Sequence, residues 1–283
     1  MSKMEETMRM KKTISALIFF LVLLTGAAVL SLNAAGLFVA DYQEKFEKTL
    51  PLSAGGSFSL KNTNGDVIVS TWTKNEVEIN AVKTARRNKD DLNRVKIEVS
   101  AVGDSVKVDT IYDKTFLRNI RVEVKYEVKV PEGVRLERVR TTNGDVEITG
   151  RLGDADVGTT NGDVKLESAS GKCLAHTTNG DIHVANFKGP LEAGTTNGSI
   201  HLDVRTVEAG ITAHTTNGSI TLKMVGDVNA NFKAHTTNGR IRTDFPITIK
   251  GVINSRRTLE GTLGNGGPEI DLRTTNGSIT LTR

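Results

Sequence analysis

Val157-Gly158-Thr159-Thr160-Asn161-Gly162-Asp163-Val164-Lys165-Leu166 is one copy of a unit that recurs down the second half of this chain. Its Thr-Thr-Asn-Gly centre returns with the asparagine at Asn143, Asn161, Asn179, Asn197, Asn217, Asn238 and Asn276, and a truncated copy, Thr63-Asn64-Gly65, lies far upstream. Successive asparagines are 18, 18, 18, 20, 21 and 38 residues apart, the last step being about two periods. A fixed period near twenty is the mark of a repeat architecture.

Aligned on the asparagine, four columns are apolar. Six residues before it stand Ala155, Cys173, Leu191, Ile211, Phe232 and Ile270. Four before it stand Val139, Val157, Ala175, Ala193, Ala213, Ala234 and Leu272. Three after it stand Val146, Val164, Ile182, Ile200, Ile220, Ile241 and Ile279. Five after it stand Ile148, Leu166, Val184, Leu202, Leu222 and Leu281, with Thr243 the exception. The intervening residues are mostly polar, so each unit alternates with period two on both sides of the motif and reads as strand, corner, strand.

The corners are expected at Asn64-Gly65, Asn143-Gly144, Asn161-Gly162, Asn179-Gly180, Asn197-Gly198, Asn217-Gly218, Asn238-Gly239 and Asn276-Gly277. Asn-Gly is the commonest pair for two successive residues of positive φ. The Asp or Ser that follows can fix the bend on nearby backbone. A meander of hairpins would form one very wide sheet with a bare apolar face, and open sheets rarely exceed ~10 strands. A solenoid instead encloses the aliphatic columns and stacks asparagine on asparagine at ~4.8 Å. The prediction is therefore an all-β, β-helix-like solenoid of 18–21-residue coils. One coil buries about four aliphatics at ~1.5–3 kcal/mol each against ~1–2 kcal/mol of backbone entropy for each of its residues. Neighbouring coils must supply the rest. The small residues four before the asparagine imply a narrow interior, and no cofactor is expected.

Outside the repeats, residues 41–133 read as an N-terminal β region that caps the solenoid of residues 134–283. The region holds a coil-like hairpin around Asn64 with Trp72 assigned to the core, and a loop or short helix near Asp90–Arg94. A hairpin from Val95 to Val108 and a long strand from Ile120 to Val130 complete it. Exposed terminal coils need such caps. Late in the chain, Ile247–Ile253 and Leu259–Leu263 read as a degenerate coil.

Residues 1–35 carry Lys11-Lys12 ahead of an uncharged run from Ile14 to Leu32, then Asn33-Ala34-Ala35-Gly36. This is a signal peptide or, since the run approaches spanning length, an N-terminal membrane anchor over residues 14–32. Either way the repeats are exported to the periplasm or cell envelope. The formal charge of +4 falls to about +2 once residues 1–34 are removed, because they carry four cations against two acids. No basic face emerges, and nucleic acid is excluded as a partner. Cys173 stands in an apolar column and reads as a small buried hydrophobe.

The Asn-Gly-Asp-Val with nearby Trp72, the Val-Pro-Glu-Gly at residues 130–133, the serial Thr-Thr-Asn-Gly-[Asp/Ser]-[Val/Ile] units and the closing Gly-Gly-Pro-Glu-Ile-Asp-Leu-Arg-Thr-Thr-Asn-Gly-Ser-Ile form a combined signature. On these motifs residues 45–283 resemble the bacterial putative-adhesin family of β-strand-repeat proteins, DUF4097. The resemblance implies an exported all-β envelope protein and transfers no catalytic or ligand residues.

Two columns have the chemistry to bind metal. His214 and His235 belong to successive repeats, and if stacked about one rung apart they would offer two imidazoles. Asp145, Asp163 and Asp181 would stack as carboxylates that either fix the turns or bridge a cation. No nucleophilic triad, zinc motif or phosphate loop is present in the sequence. The expected function is a non-catalytic envelope binding or structural scaffold, its partner a polysaccharide, another envelope protein or its own copies. A polysaccharide-active β-helix enzyme and an accessory to envelope-stress signalling are the alternatives.

Overall fold

In the computed structural model the described residues are 28–31, 39–113, 121–204, 207–249 and 257–283. Most of the leader lies outside them. Of the apolar run, only Ala28–Ser31 is described, as a strand. Among the described residues no helix is long and apolar enough to cross a membrane.

The chain begins with β1 (Ala28–Ser31) and β2 (Val39–Pro51), followed by β3 (Ser57–Lys61), β4 (Val67–Trp72) and β5 (Glu76–Ala85). A 3₁₀ turn over Lys89–Arg94 leads to β6 (Val95–Val102), β7 (Ser105–Tyr112) and β8 (Val122–Pro131). Regular coils follow as strand pairs: β9 (Arg135–Arg140) with β10 (Val146–Thr149), β11 (Ala155–Gly158) with β12 (Val164–Glu167), and β13 (Cys173–His176) with β14 (Ile182–Ala185). The next three are β15 (Leu191–Asn197) with β16 (Ile200–Val204), β17 (Ile211–Asn217) with β18 (Ile220–Met224), and β19 (Ala230–Asn238) with β20 (Ile241–Thr243). β21 (Ile247–Thr248) and β22 (Thr258–Leu263) precede the last pair, β23 (Glu269–Asn276) with β24 (Ile279–Thr282).

Each coil gives its first strand to one sheet and its second to the other, with the Thr-Thr-Asn-Gly corner between them. Coil-to-coil pairing is parallel and in register, so Val146, Val164, Ile182, Ile200, Ile220 and Ile279 form one file. The four apolar columns face inward between the sheets, and in the four coils from Asn161 to Asn217 and in the Asn276 coil every member is at most 4% exposed. Period-two patterning thus becomes a β-solenoid with one continuous core.

Two features depart from a stack in chain order. First, Ser57–Trp72 forms the first rung, paired directly with the Asn143 coil. Residues 41–133 therefore supply both this coil and the end strands beyond it. There β8 pairs with β4, β5 with β8 and β2 with β5 in one sheet, while β7 and β6 extend the other. Second, the Asn276 coil inserts between the Asn217 and Asn238 coils.

The second departure has a physical reason. The Asn276 coil offers Ile279 and Leu281, both fully buried, and suits an interior rung. The Asn238 coil offers a three-residue strand in which Arg242 is exposed, Ile241 half-buried and Thr243 takes the usual apolar place, with Arg240 just before it. Short, charged strands are what an unpaired sheet edge tolerates. The predicted degenerate coil is not one. β22 pairs antiparallel with β19, and β21 with β22, closing one sheet; residues 250–253 lie outside the described set.

At the opposite end the buried Lys83 ammonium donates to Leu92 O at 3.2 Å and Val95 O at 3.0 Å and pairs with Glu44 at 2.8 Å. Buried charge is tolerated only when satisfied in this way. The 3₁₀ turn is capped by Asn88, whose side chain accepts from Asp90 N–H.

Candidate binding surface

The corner residues build the most regular surface of the molecule. All eight asparagines stand in one file in the order 64, 143, 161, 179, 197, 217, 276, 238. Each amide nitrogen donates to the amide oxygen of the preceding rung at 2.7 or 2.8 Å, giving an unbroken chain of bonds in one direction. Such a chain polarises along its length, and amide ladders of this kind reinforce stacked strands.

Behind it runs a buried hydroxyl file. The first threonine of each full motif donates to the glycine carbonyl of the rung before, from Thr141 to Gly65 O at 3.0 Å through Thr274 to Gly218 O and Thr236 to Gly277 O, both at 2.8 Å. The first coil has Asn62 in place of that threonine. Its longer side chain reaches Val124 O of the end strand at 2.8 Å and serves the same purpose. The second threonine, from Thr142 through Thr160, Thr178, Thr196, Thr216, Thr275 and Thr237, is exposed beside the asparagine file.

The glycine is required for a reason that the turn signal does not contain. No corner asparagine has positive φ, so the two-residue left-handed turn expected from Asn-Gly is absent. Gly65, Gly144, Gly162, Gly180 and Gly198 do lie at positive φ, but Gly218, Gly239 and Gly277 fall outside the left-handed region. What every full motif shares is contact. A Cβ on Gly218 would sit 1.9 Å from Gly198 O, and one on Gly239 would sit 1.8 Å from Gly277 O. The backbones of successive corners touch, and only a residue without Cβ fits.

The carboxylate column serves the same stack. Asp66 accepts from Asp145 N–H, Asp145 from Asp163 N–H, Asp163 from Asp181 N–H and Asp181 from Ser199 N–H, at 2.7–3.1 Å. One oxygen of each carboxylate is thus engaged with the next rung's backbone, a tie between rungs and not within one bend. Ser199 and Ser219 continue the pattern with their hydroxyls.

His214 and His235 are not neighbours. The inserted coil places Arg273 between them, so they are two rungs apart, or ~9.6 Å. His235 Nδ1 instead lies 2.9 Å from Thr258 Oγ1. A different pair does stack: His183 and His201, on adjacent rungs of the other sheet, have ring centroids 4.8 Å apart and planes within 5°. The +4 column of the repeat carried that signal. Among the described residues no group of three or more His, Cys, Asp or Glu side chains could hold a metal ion.

Cys173 is buried, and burial pushes its thiol up to about 12. Tyr126 is also enclosed, its hydroxyl 2.7 Å from Thr110 Oγ1 across the interior. Trp72, assigned to the core from sequence, is not in it. Val67 and Val69 point inward, so by strand alternation Ile68, Ser70 and Trp72 occupy the outer face, with Trp72 half-buried there. Near the first end, a notch of about 340 Å³ opens between β2 and β6, lined by Glu44, Phe46, Lys83 and Ile97 among others.

The Toastrack DUF4097 family model matches residues 32–282. Among solved structures, a putative adhesin from Bacteroides fragilis is 15% identical, with 84% of this chain and 96% of that one covered and a TM-score of 0.43. A putative adhesin from Parabacteroides merdae is 10% identical over 84% and 96%, with a TM-score of 0.38. A putative cell adhesion protein from Clostridium sporogenes is 8% identical over 83% and 98%, with a TM-score of 0.32. Similarity at this level fixes neither ligand nor partner. No curated protein matches the sequence. With the family model spanning almost its whole length, this chain belongs to the Toastrack DUF4097 family.

Proposed function

We propose that the protein is a non-catalytic, exported cell-envelope scaffold that binds an extended polymer along its coil surface. The observation that carries this reading is the eight-rung asparagine file with its exposed threonines, a rigid polar comb of constant ~4.8 Å step. A polymer with a repeating unit can meet equivalent groups on successive rungs, and many weak contacts then add without a deep pocket. Polysaccharide fits that description better than a folded protein partner. Export follows from the apolar run at residues 14–32 behind Lys11-Lys12. Membrane contact would be limited to that segment and would require its retention.

The outward columns support binding over turnover. Several of their carboxylates are committed to backbone donors or to basic side chains, as Glu147 is to Lys165 at 3.0 Å. Glycan-array retention together with a reducing-end release assay tests the proposal. Retention without release is expected. Release of new reducing ends would replace the scaffold with an enzyme, and failure to retain any glycan would remove the polysaccharide partner.

A further inference from the structure

Trp72 is the chain's single tryptophan, and it stands on the outer face of a sheet whose other outward columns are mostly Thr, Asp, Glu, Lys and His. Its indole nitrogen donates to Glu76 O at 2.7 Å, which fixes the ring across the end of β8, where Pro131 is its register partner. The Lys74 ammonium lies over the ring, 4.6 Å from its centroid, and that of Lys129 lies over it at 5.5 Å, so a ligand that packs on the indole must displace a flexible lysine arm. Ile68, 40% exposed, lies on the same outer face with Ser70 between it and Trp72.

From this arrangement we infer that Trp72, Lys74 and Lys129 form a binding site for an acidic sugar residue, a uronate unit of a polysaccharide. The inference rests on the scaffold reading and names where the polymer is anchored. A pyranose ring presents an apolar face of C–H groups that packs on indole, and tryptophan is the residue most often found to dominate binding surfaces. A carboxylate on that sugar meets two ammonium groups already gathered at the ring.

Both lysines carry a protein partner, Glu76 to Lys74 at 3.4 Å and Glu78 to Lys129 at 3.0 Å. These are surface pairs, worth ~0–1 kcal/mol each, and a ligand carboxylate can exchange with them. A bare inorganic anion lacks the apolar face, and a neutral sugar lacks the charge, so only the acidic sugar uses the whole site.

The single indole makes the site its own reporter. Trigalacturonate titrated into the native protein should give a saturable change in tryptophan emission that weakens as salt rises. Lys74→Gln and Lys129→Gln should each raise Kd roughly fivefold, and both side chains are exposed enough for the variants to fold. Maltotriose should bind more weakly or not at all. No saturable change with trigalacturonate, unchanged Kd in both variants, or equal binding of maltotriose would each overturn the assignment. If a Trp72→Phe variant still retains acidic glycans on an array as the native chain does, the scaffold stands and this site falls. If trigalacturonate saturates Trp72 while no polymer is retained, the site stands and the polymer scaffold falls.

Discussion

Gly218→Ala separates two explanations of the repeated glycine. Gly218 lies outside the left-handed region, so alanine there carries little torsional penalty. Its Cβ, however, would stand 1.9 Å from Gly198 O and 2.5 Å from the carbonyl carbon. Ordinary contact needs more than 3 Å, so the corners must part by over an ångström. Three bonds span that gap: Thr215 Oγ1 to Gly198 O at 2.8 Å, Gly198 N to Asn217 O at 2.9 Å, and Asn217 Nδ2 to Asn197 Oδ1 at 2.8 Å. At ~0.5–1.5 kcal/mol each their loss totals about 3 kcal/mol, more if buried Thr215 is left unpaired. Gly226→Ala is the control. Its φ is +84° with nothing within 4 Å of the added methyl, so it carries only the left-handed penalty of ~1–2 kcal/mol. Urea denaturation gives both numbers, and amide exchange at the 197 and 217 corners tests locality, since solenoid stability is a sum of neighbour terms. A Gly218→Ala loss below that of Gly226→Ala would refute the close-approach argument.

Other outcomes follow from the same geometry. Asn179→Ala removes two ladder bonds and should cost ~1–2 kcal/mol, whereas Asn238→Ala, at the end of the file, removes one and should cost about half as much; equal losses in urea melts would show that the ladder is not the source. Cys173 should resist thiol reagents at pH 8 until denaturant is added, because burial holds it protonated, and stoichiometric labelling of the native chain would contradict this. Burial pushes the Tyr112 phenol up to about 12 and raises that of Tyr126 as well. Groups raised on folding stabilise fully below their unfolded value of ~10 and lose that contribution as pH climbs through the folded values. The urea midpoint should therefore fall above pH 10, and less steeply in Tyr126→Phe; an unchanged slope would exclude Tyr126 as a source.

Much of this protein was legible along the chain because a solenoid is nearly one-dimensional. Period-two alternation around each Asn-Gly determined which side chains enter the core, and the four aliphatic columns contain that information without any knowledge of partners. The corner positions and the enclosed Cys173 follow from the same local rule, whereas the carboxylates of Asp145, Asp163 and Asp181 bond backbone eighteen residues away. The need for glycine was legible, but its cause was not. Asn-Gly is a turn signal when two residues are considered, whereas here it answers a contact between backbones eighteen or more residues apart.

Only tertiary structure decided the order of the rungs. A repeat's sequence states that it will stack and does not state upon which copy, since equivalent columns make every coil an acceptable neighbour for every other. The choice falls to the ends, where an unpaired edge favours the short strand that carries Arg242, with Arg240 just before it, and drives the better-buried Ile279–Leu281 coil inside. That single exchange parts His214 from His235. Strand parity at Val67 and Val69 likewise turns Trp72 outward, placing it beside lysines from a turn and from a strand that arrives more than fifty residues later.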